Sequence, residues 1–161
     1  DIVLEPTVKE IIIPRIEYDY NSAKLRPKSK EALDALVIVL MQNPNVVIKL
    51  RSHTDSRAGD DFNMELSQKR AQICVDYMVA QGVEQKRLVA LGMGESEPFV
   101  VDVKDGKLRV GAVLTADFIE NKLRRKKDKE KAHQYNRRTD FKVILDSFYD
   151  AEKDEVVKKK N

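Results

Sequence analysis

One stretch, from Asn45 to Gly82, dictates much of what this chain can fold into. Val46, Ile48 and Leu50 alternate with Val47, Lys49, Arg51 and His53, and a period of two puts the two sets on opposite faces of a strand. The pattern predicts one face packed on helices and the other mostly wet. Ser52-His53-Thr54-Asp55 ends this strand on an acid, and Asp55 to Asp61, with Gly59, reads as a polar loop. From about Phe62 to Gln81 the period becomes helical. Leu66, Ile73, Cys74 and Tyr77 make the apolar face, and Gly82 is a natural C-terminal cap. Arg70 falls on that apolar face. A guanidinium there is costly without an anionic partner, so Asp55 and Arg70 are the candidate centre of a recognition site.

The remaining segments fit around this unit. Residues 1–8 read as a lead-in. A strand is expected from Ile11 to about Tyr18, with Pro14 forcing an edge or a bulge. Tyr18-Asp19-Tyr20-Asn21-Ser22 is a turn, with Asn21 or Ser22 available to cap the next helix. Pro27 suits a first helical turn, and Leu33, Leu36, Val37, Leu40 and Met41 give a one-sided helix that Asn43-Pro44-Asn45 ends. Arg87 to Leu91 is a short strand, and Gly92-Met93-Gly94-Glu95 a turn. Phe99 to Val113 resembles a small hairpin on Asp105-Gly106. Thr115 is a plausible N-cap for a helix with Phe118, Ile119, Lys122 and Leu123 on one side. Arg124 to Lys131 reads as a charged continuation of that helix, and Asn136 to Ser147 as the last strand, with Phe141, Val143 and Leu145 on one face. The lysine-rich stretch 150–161 reads as a flexible tail.

This order predicts an α+β fold, a two-layer βαβαβ-αβ sandwich with helices packed on one face of a mixed four-stranded sheet. The folded domain is expected over residues 9–149, with 99–135 as an insertion carrying the hairpin and a helix.

Composition excludes several classes. With 30 basic against 27 acidic residues the net charge is only +3, which does not argue for nucleic acid. The longest apolar run is too short to span a bilayer. Asp1 opens the chain without a signal-like core, so a removed targeting segment or a fragment of a longer protein is expected. The single Cys74 rules out an internal disulfide framework or a multi-cysteine metal site. His53 and His133, the two histidines, show no ligand spacing. No nucleophile elbow is present, and Ser67 is better explained by a local backbone bond. The expectation is a non-enzyme with no cofactor, no metal and no catalytic residue.

At 3.6 residues per turn, Asn63, Leu66 and Arg70 lie within roughly one sixth of a turn of each other. Asp55 precedes this helix across a short loop. A carboxylate can hold an ammonium, and a guanidinium can grip a carboxylate with two parallel bonds. A ligand carrying both groups a few ångströms apart, as an amino acid backbone does, fits the pair.

The run His53-Thr54-Asp55, Asn63 to Ala71 (N-M-E-L-S-Q-K-R-A), Gly82-Val83, Arg87-Leu88, Gly92 to Pro98 (G-M-G-E-S-E-P) and Asn136-Arg137-Arg138 resembles, in order, the OmpA C-terminal-like peptidoglycan-binding domain. Tyr18 to Ser22 resembles its opening motif, so the likeness covers about residues 10–148. The resemblance implies a fold that binds the peptide stem of peptidoglycan without cleaving it. Asp55 and Arg70 match the positions that hold the two ends of meso-diaminopimelate. Asp19, Tyr20, Thr54, Asn63, Leu66, Arg137 and Arg138 match positions in or beside the pocket, and the sequence leaves open which arginine of the pair reaches the ligand. Ala58 stands where the family usually has glycine, so a loop needing positive φ there would shift its path. The insertion resembles the Bacteroidetes branch, whose domains often end larger outer-membrane lipoproteins, a secretion-system component among them. The implied location is the periplasm, outer-membrane-associated, with peptidoglycan and other envelope proteins as partners.

Blander readings stand beside these. Asp55 can cap the following turn, Arg70 can snorkel off a helix edge, and Arg124 to Lys131 can be a solvated helix face. A protein-interaction scaffold of a secretion or motor apparatus and a cell-wall hydrolase are the alternative functions.

Overall fold

The structure, a computed structural model, describes residues 15–144. The elements are β1 (Ile16–Glu17), α1 (Pro27–Gln42), β2 (Val47–His53), α2 (Asp60–Ala80), a 3-10 turn (Gln85–Arg87), β3 (Leu88–Gly94), α3 (Ala116–Lys122), α4 (Lys126–Asn136) and β4 (Arg138–Ile144). The expected lead-in 1–8, the strand start at Ile11, the edge at Pro14, the strand end with Leu145 and the tail 150–161 lie outside the described residues.

The sheet order is β1-β4-β2-β3. β2 runs parallel to β3 and antiparallel to β4, and β1 is antiparallel to β4, so the mixed four-stranded sheet is as expected. Helices α1 and α2 cover one face. Between them and the sheet lie Leu33, Leu36, Val37 and Leu40 of α1, Cys74, Val75 and Met78 of α2, and Ile48 and Leu50 of β2. Each such aliphatic side chain removed from water stabilises the fold by about 1.5–3 kcal/mol. Met41 sits at the edge of the α1 stripe and stays about half exposed. The far face of β2 is drier than its alternation suggested, because Val47 and His53 are buried there as well.

The ends of the helices differ in how well they were foreseen. α1 starts on Pro27, but Arg26 is its N-cap and gives no side-chain bond. Neither Asn21 nor Ser22 caps it; Ser22 Oγ accepts from the Lys24 amide instead, since the chain runs on for four more residues before the helix. α2 carries Asp60 and Asp61 in its first turn, where the helix dipole favours acids. It ends in a Schellman motif: the Gly82 amide reaches Val79 O, the Val83 amide reaches Met78 O, and Gly82 has φ +102°.

Gly92 to Gly94 is not a turn but the end of β3. Met93 is an extra residue opposite Ser52–His53, a bulge in the parallel pair. The glycines are there for closeness. A Cβ on Gly92 would lie 2.5 Å from the Gln68 backbone nitrogen, and one on Gly94 would lie 2.9 Å from Met64 Sδ. Removing those side chains lets α2 lie directly on β3. Ser67 ties the contact, donating to Met64 O and accepting from the Gly94 amide, both at 2.9 Å.

The insertion has a core of its own: Phe99, Val101, Leu108, Leu114, Ile119, Leu123 and Ala132. The hairpin turns at Asp105–Leu108, with Gly106 at φ +58°. Thr115 caps α3 by accepting from the Phe118 amide at 3.0 Å, as expected. The charged run is not a continuation of α3. The chain is extended at Leu123 and Arg125 and a separate helix follows, taking in residues through Asn136 that the sequence had assigned partly to the last strand. A helix so rich in charge has little apolar pattern of its own. It is held by Ala132 in the insertion core and by buried Asn136, which bonds the Phe99 amide and Leu114 O at 2.9 Å.

Candidate functional site

The site forms at the C-terminal end of β2, where the bulge, the Asp55–Gly59 loop and the first turns of α2 meet. A small pocket of about 10 Å³ is lined by Tyr20, Asn21, Thr54, Asp55, Ala58, Phe62, Asn63, Leu66, Arg70 and Arg137. Asp55, from the loop, and Arg70, from α2, thus line one opening.

Arg70 is completely buried. Its Nε donates to Ser22 O at 2.8 Å, Nη1 to His53 O at 3.1 Å and Nη2 to Asp19 O at 3.3 Å. Its guanidinium also stacks 4.6 Å from the Tyr18 ring centroid. No carboxylate bonds it among the described residues. One donor on each terminal nitrogen is left over. Burial lowers its pKa to about 10, with Arg137 adding to the effect and Tyr18 and Asp55 opposing it, so it stays charged at neutral pH.

Asp55 is nearly as buried. Oδ1 accepts from the Arg57 amide at 3.1 Å, and Oδ2 from Arg57 Nη2 at 2.8 Å and Arg137 Nη1 at 3.0 Å. Burial by itself would raise its pKa. The bonds from Arg57 and Arg137 outweigh that and hold it below the usual carboxylate value. Arg57 and Arg137 also share Glu130 of α4, at 2.9 and 3.2 Å. Asp55, Arg57, Glu130 and Arg137 therefore close a ring of alternating charges. Arg57 and Glu130 were not anticipated. A loop arginine two residues past an acid looks like any solvated residue, and nothing local marks Glu130 as reaching a site so distant in sequence. Arg57 also stacks 4.2 Å from the ring centroid of Tyr20, one of the pocket's lining residues.

The supporting residues divide cleanly. Asn63 Nδ2 donates to Asp55 O at 3.2 Å and Ala58 O at 3.0 Å, so it braces the loop. Gly59 has φ −67°, and Asn21 is the one positive-φ residue other than glycine among the described residues. Ala58 therefore fits without strain, and the expected shift of path is not needed. Leu66 lines the pocket. Thr54 is buried and its Oγ1 has no partner among the described residues. Asp19 serves through its backbone oxygen, while its exposed carboxylate turns to Arg26.

Arg137 is the arginine of the pair that reaches the site. Its Nε is fixed on Tyr18 O at 3.0 Å. Arg138 points to the other face of the sheet, with Nη2 on Glu97 O at 3.2 Å and Nε 3.5 Å from Asp140. Its expected place at the pocket is corrected by the alternation of the chain. His53 is buried with Nε2 3.0 Å from Asp140 Oδ2, close by distance but not aligned as a hydrogen bond. No cluster able to hold a metal occurs among the described residues. Cys74 is buried beside the Tyr18 hydroxyl at 3.2 Å, and burial pushes its thiol up to about 11, which keeps it protonated at neutral pH.

With this geometry in place, comparison with known proteins decides the family. The OmpA family model matches residues 17–108. The chain belongs to the OmpA family. Outer membrane protein A of Klebsiella aerogenes is 39% identical over 83 residues, covering 50% of this chain and 24% of that protein. The probable lipoprotein YiaD of Escherichia coli is 34% identical over 83 residues, covering 52% of this chain and 38% of that protein. The chain therefore spans well under half the length of these relatives. Among solved structures, the peptidoglycan-associated lipoprotein from Burkholderia pseudomallei superposes with a TM-score of 0.61 at 20% identity, covering 81% of this chain and 89% of that one. The C-terminal domain of Helicobacter pylori MotB gives 0.62 at 13% identity, covering 92% and 97%. At such identities these two show the shared fold. As an OmpA-family domain the chain is a non-catalytic module of the peptidoglycan-binding class. The family match ends at residue 108, so Arg137, a candidate from its motif, and Glu130, which geometry alone brings in, both lie beyond it. No helix among the described residues is long and apolar enough to cross a membrane.

Proposed function

We propose that this OmpA-family domain holds the meso-diaminopimelate of a peptidoglycan stem peptide, the ligand's carboxylate on Arg70 and its ammonium on Asp55. The observation that carries the reading is Arg70, a buried cation with no carboxylate partner among the described residues and with donors left over, lining one small pocket with a buried acid. Two parallel bonds from a guanidinium suit a carboxylate, and charge-assisted bonds suit an ammonium on Asp55. The Thr54 hydroxyl, without a partner among the described residues, adds a polar contact in the same pocket.

Entry requires movement, because about 10 Å³ holds roughly one water. Arg57 is the group that yields. Its side chain is 31% exposed, against 4% for Arg137. Once off Asp55 it keeps Glu130 as a partner, so its charge is not stranded.

In the wider setting, the domain anchors an outer-membrane-associated protein to the cell wall in the periplasm, held to the membrane by parts of its parent protein beyond this chain. The likeness of the insertion to the Bacteroidetes branch supports a secretion-apparatus component, of the kind of PorE in the type IX secretion system.

Isothermal titration of a diaminopimelate stem peptide against the wild type, Asp55→Ala and Arg70→Ala tests the assignment. Each variant should weaken binding by tenfold or more, since the partner charge is left unpaired. A stem peptide with lysine in place of diaminopimelate lacks the carboxylate for Arg70 and should bind the wild type more weakly. Equal affinity across the three proteins sinks the site.

A further inference from the structure

The insertion carries a second concave feature that the cell-wall site does not use. A groove of about 600 Å³ opens between the hairpin turn and the α3–α4 junction. Lys104, Lys107 and Arg109 line it from the hairpin; Lys122, Arg124 and Arg125 line it from the junction. Asp128 is the one carboxylate in its wall, and it is already engaged by Arg125, at 2.7 and 3.1 Å. Lys104, Lys107, Arg109, Lys122 and Arg124 make no ion pair among the described residues. Their neighbours do. Lys129 sits 3.1 Å from Glu120, and Lys131 2.8 Å from Asp105. Asp128, Glu120 and Asp105 are thus taken, and the groove is left with cations that repel one another.

Like charges gathered in a concavity focus a positive potential and draw in an anionic partner. The first turn of α4 opens on the same space and adds the positive end of its dipole. Phe118 and Leu123 supply an apolar strip in the wall. Beside the groove residues in sequence, Val103 and Val110 are 71% and 65% exposed. The surface therefore offers both charge and apolar contact. Because it is concave, it admits a chain better than it lies on a flat bilayer. It is also preformed, resting on the insertion's own buried core.

We propose that this groove docks an acidic segment of a partner protein, with carboxylates on Lys107, Arg109 and Arg124 and an apolar side chain against Phe118. The domain then grips two partners at once, the wall at Arg70 and a protein at the insertion.

The test uses the full chain and a short fluorescent peptide of alternating glutamate and leucine, read by anisotropy at physiological salt. Three proteins are compared: the wild type, a groove variant (Lys107→Glu, Arg109→Glu, Arg124→Glu) and a variant with the same charge change elsewhere (Lys24→Glu, Lys28→Glu, Lys69→Glu). The groove variant should bind about tenfold more weakly, while the second variant changes little. Both should keep the wild-type affinity for the diaminopimelate stem peptide, so this result is independent of the cell-wall reading. Neutral glutamine substitutions at the same three groove positions give the same direction if the charge reversal does not fold. Equal weakening in the two charge variants, or no peptide binding by the wild type, overturns the proposal. So does groove-dependent binding to anionic lipid vesicles or inorganic phosphate that exceeds binding to the peptide.

Discussion

Two buried arginines stand at opposite ends of β2, and they are built alike. Arg87 donates to Val46 O at 3.1 Å, Leu40 O at 2.8 Å and Asn43 O at 2.6 Å, tying the start of the strand to the end of α1. Arg70 donates to His53 O, Asp19 O and Ser22 O, tying the end of the strand to the β1–α1 connection. Each gathers backbone carbonyls at the ends of elements, where Leu40 O, Asn43 O and Asp19 O accept one cap or turn bond besides. Burial lowers the pKa of both, and neither has a bonded carboxylate among the described residues. The difference lies in what surrounds them. Arg87 faces the C-terminal turn of α1, where the helix dipole welcomes a cation. Arg70 lines a pocket that also holds Asp55, Thr54 and Arg137. A buried arginine is thus a brace in both places, and a binding residue only where a matching acid and an opening meet it.

Substituting each arginine is the sharpest way to break that comparison. Arg70→Met and Arg87→Met each remove a guanidinium from three carbonyls, of which Asp19 O at the first site and Leu40 O and Asn43 O at the second keep a backbone donor, so each costs about 1–3 kcal/mol. Chemical denaturation should show a similar loss for both. Only Arg70→Met should also abolish stem-peptide binding under conditions where the protein remains folded. If Arg87→Met weakens binding equally, the two arginines are not separable in role.

Asp55→Asn asks whether the acid matters as a charge. It keeps the shape and removes the anion that Arg57 and Arg137 share. Stem-peptide affinity should fall by roughly tenfold or more, with a smaller loss of stability than for Arg70→Met. Gly92→Ala perturbs the seat of α2 without touching a charge. Its Cβ would press on the Gln68 backbone, so a loss of about 1–3 kcal/mol is expected in a melting experiment.

The smallest effect concerns pH. Glu95, in the turn after β3, has its pKa raised from 4.5 to about 7, chiefly by its hydrogen bond with Asp60 and then by burial. The folded state therefore holds this proton more tightly than the unfolded state. The resulting stability is full below about 4.5 and is lost as pH rises through about 7. Glu95→Gln should flatten stability against pH across that window. An unchanged slope would show that Glu95 titrates normally.

The strand, the loop and the long helix around Asp55 and Arg70 were legible because periodicity and spacing are local properties. So was the Thr115 cap. Gly92 and Gly94 misled, because glycine signals a turn and a close approach with the same letter; only the position of Gln68 and Met64 separates the two. The helix through Asn136 was hidden by its charge, since its hold on the fold comes from a few contacts to the insertion core. Arg57 and Glu130 were invisible for a related reason. Their ring with Asp55 and Arg137 joins a loop, a distant helix and the residue between that helix and β4, and no spacing along the chain encodes that closure. Alternation correctly separated Arg137 from Arg138 but did not say which face held the pocket.

The most direct test of the proposed site is a crystal structure of the domain with a diaminopimelate stem peptide. Both oxygens of one ligand carboxylate should lie within hydrogen-bond distance of Arg70 Nη1 and Nη2, with the adjacent ammonium on Asp55, and Arg57 withdrawn from Asp55 but still on Glu130. A ligand bound away from Arg70, or a bound state in which Arg57 still covers Asp55, would contradict it.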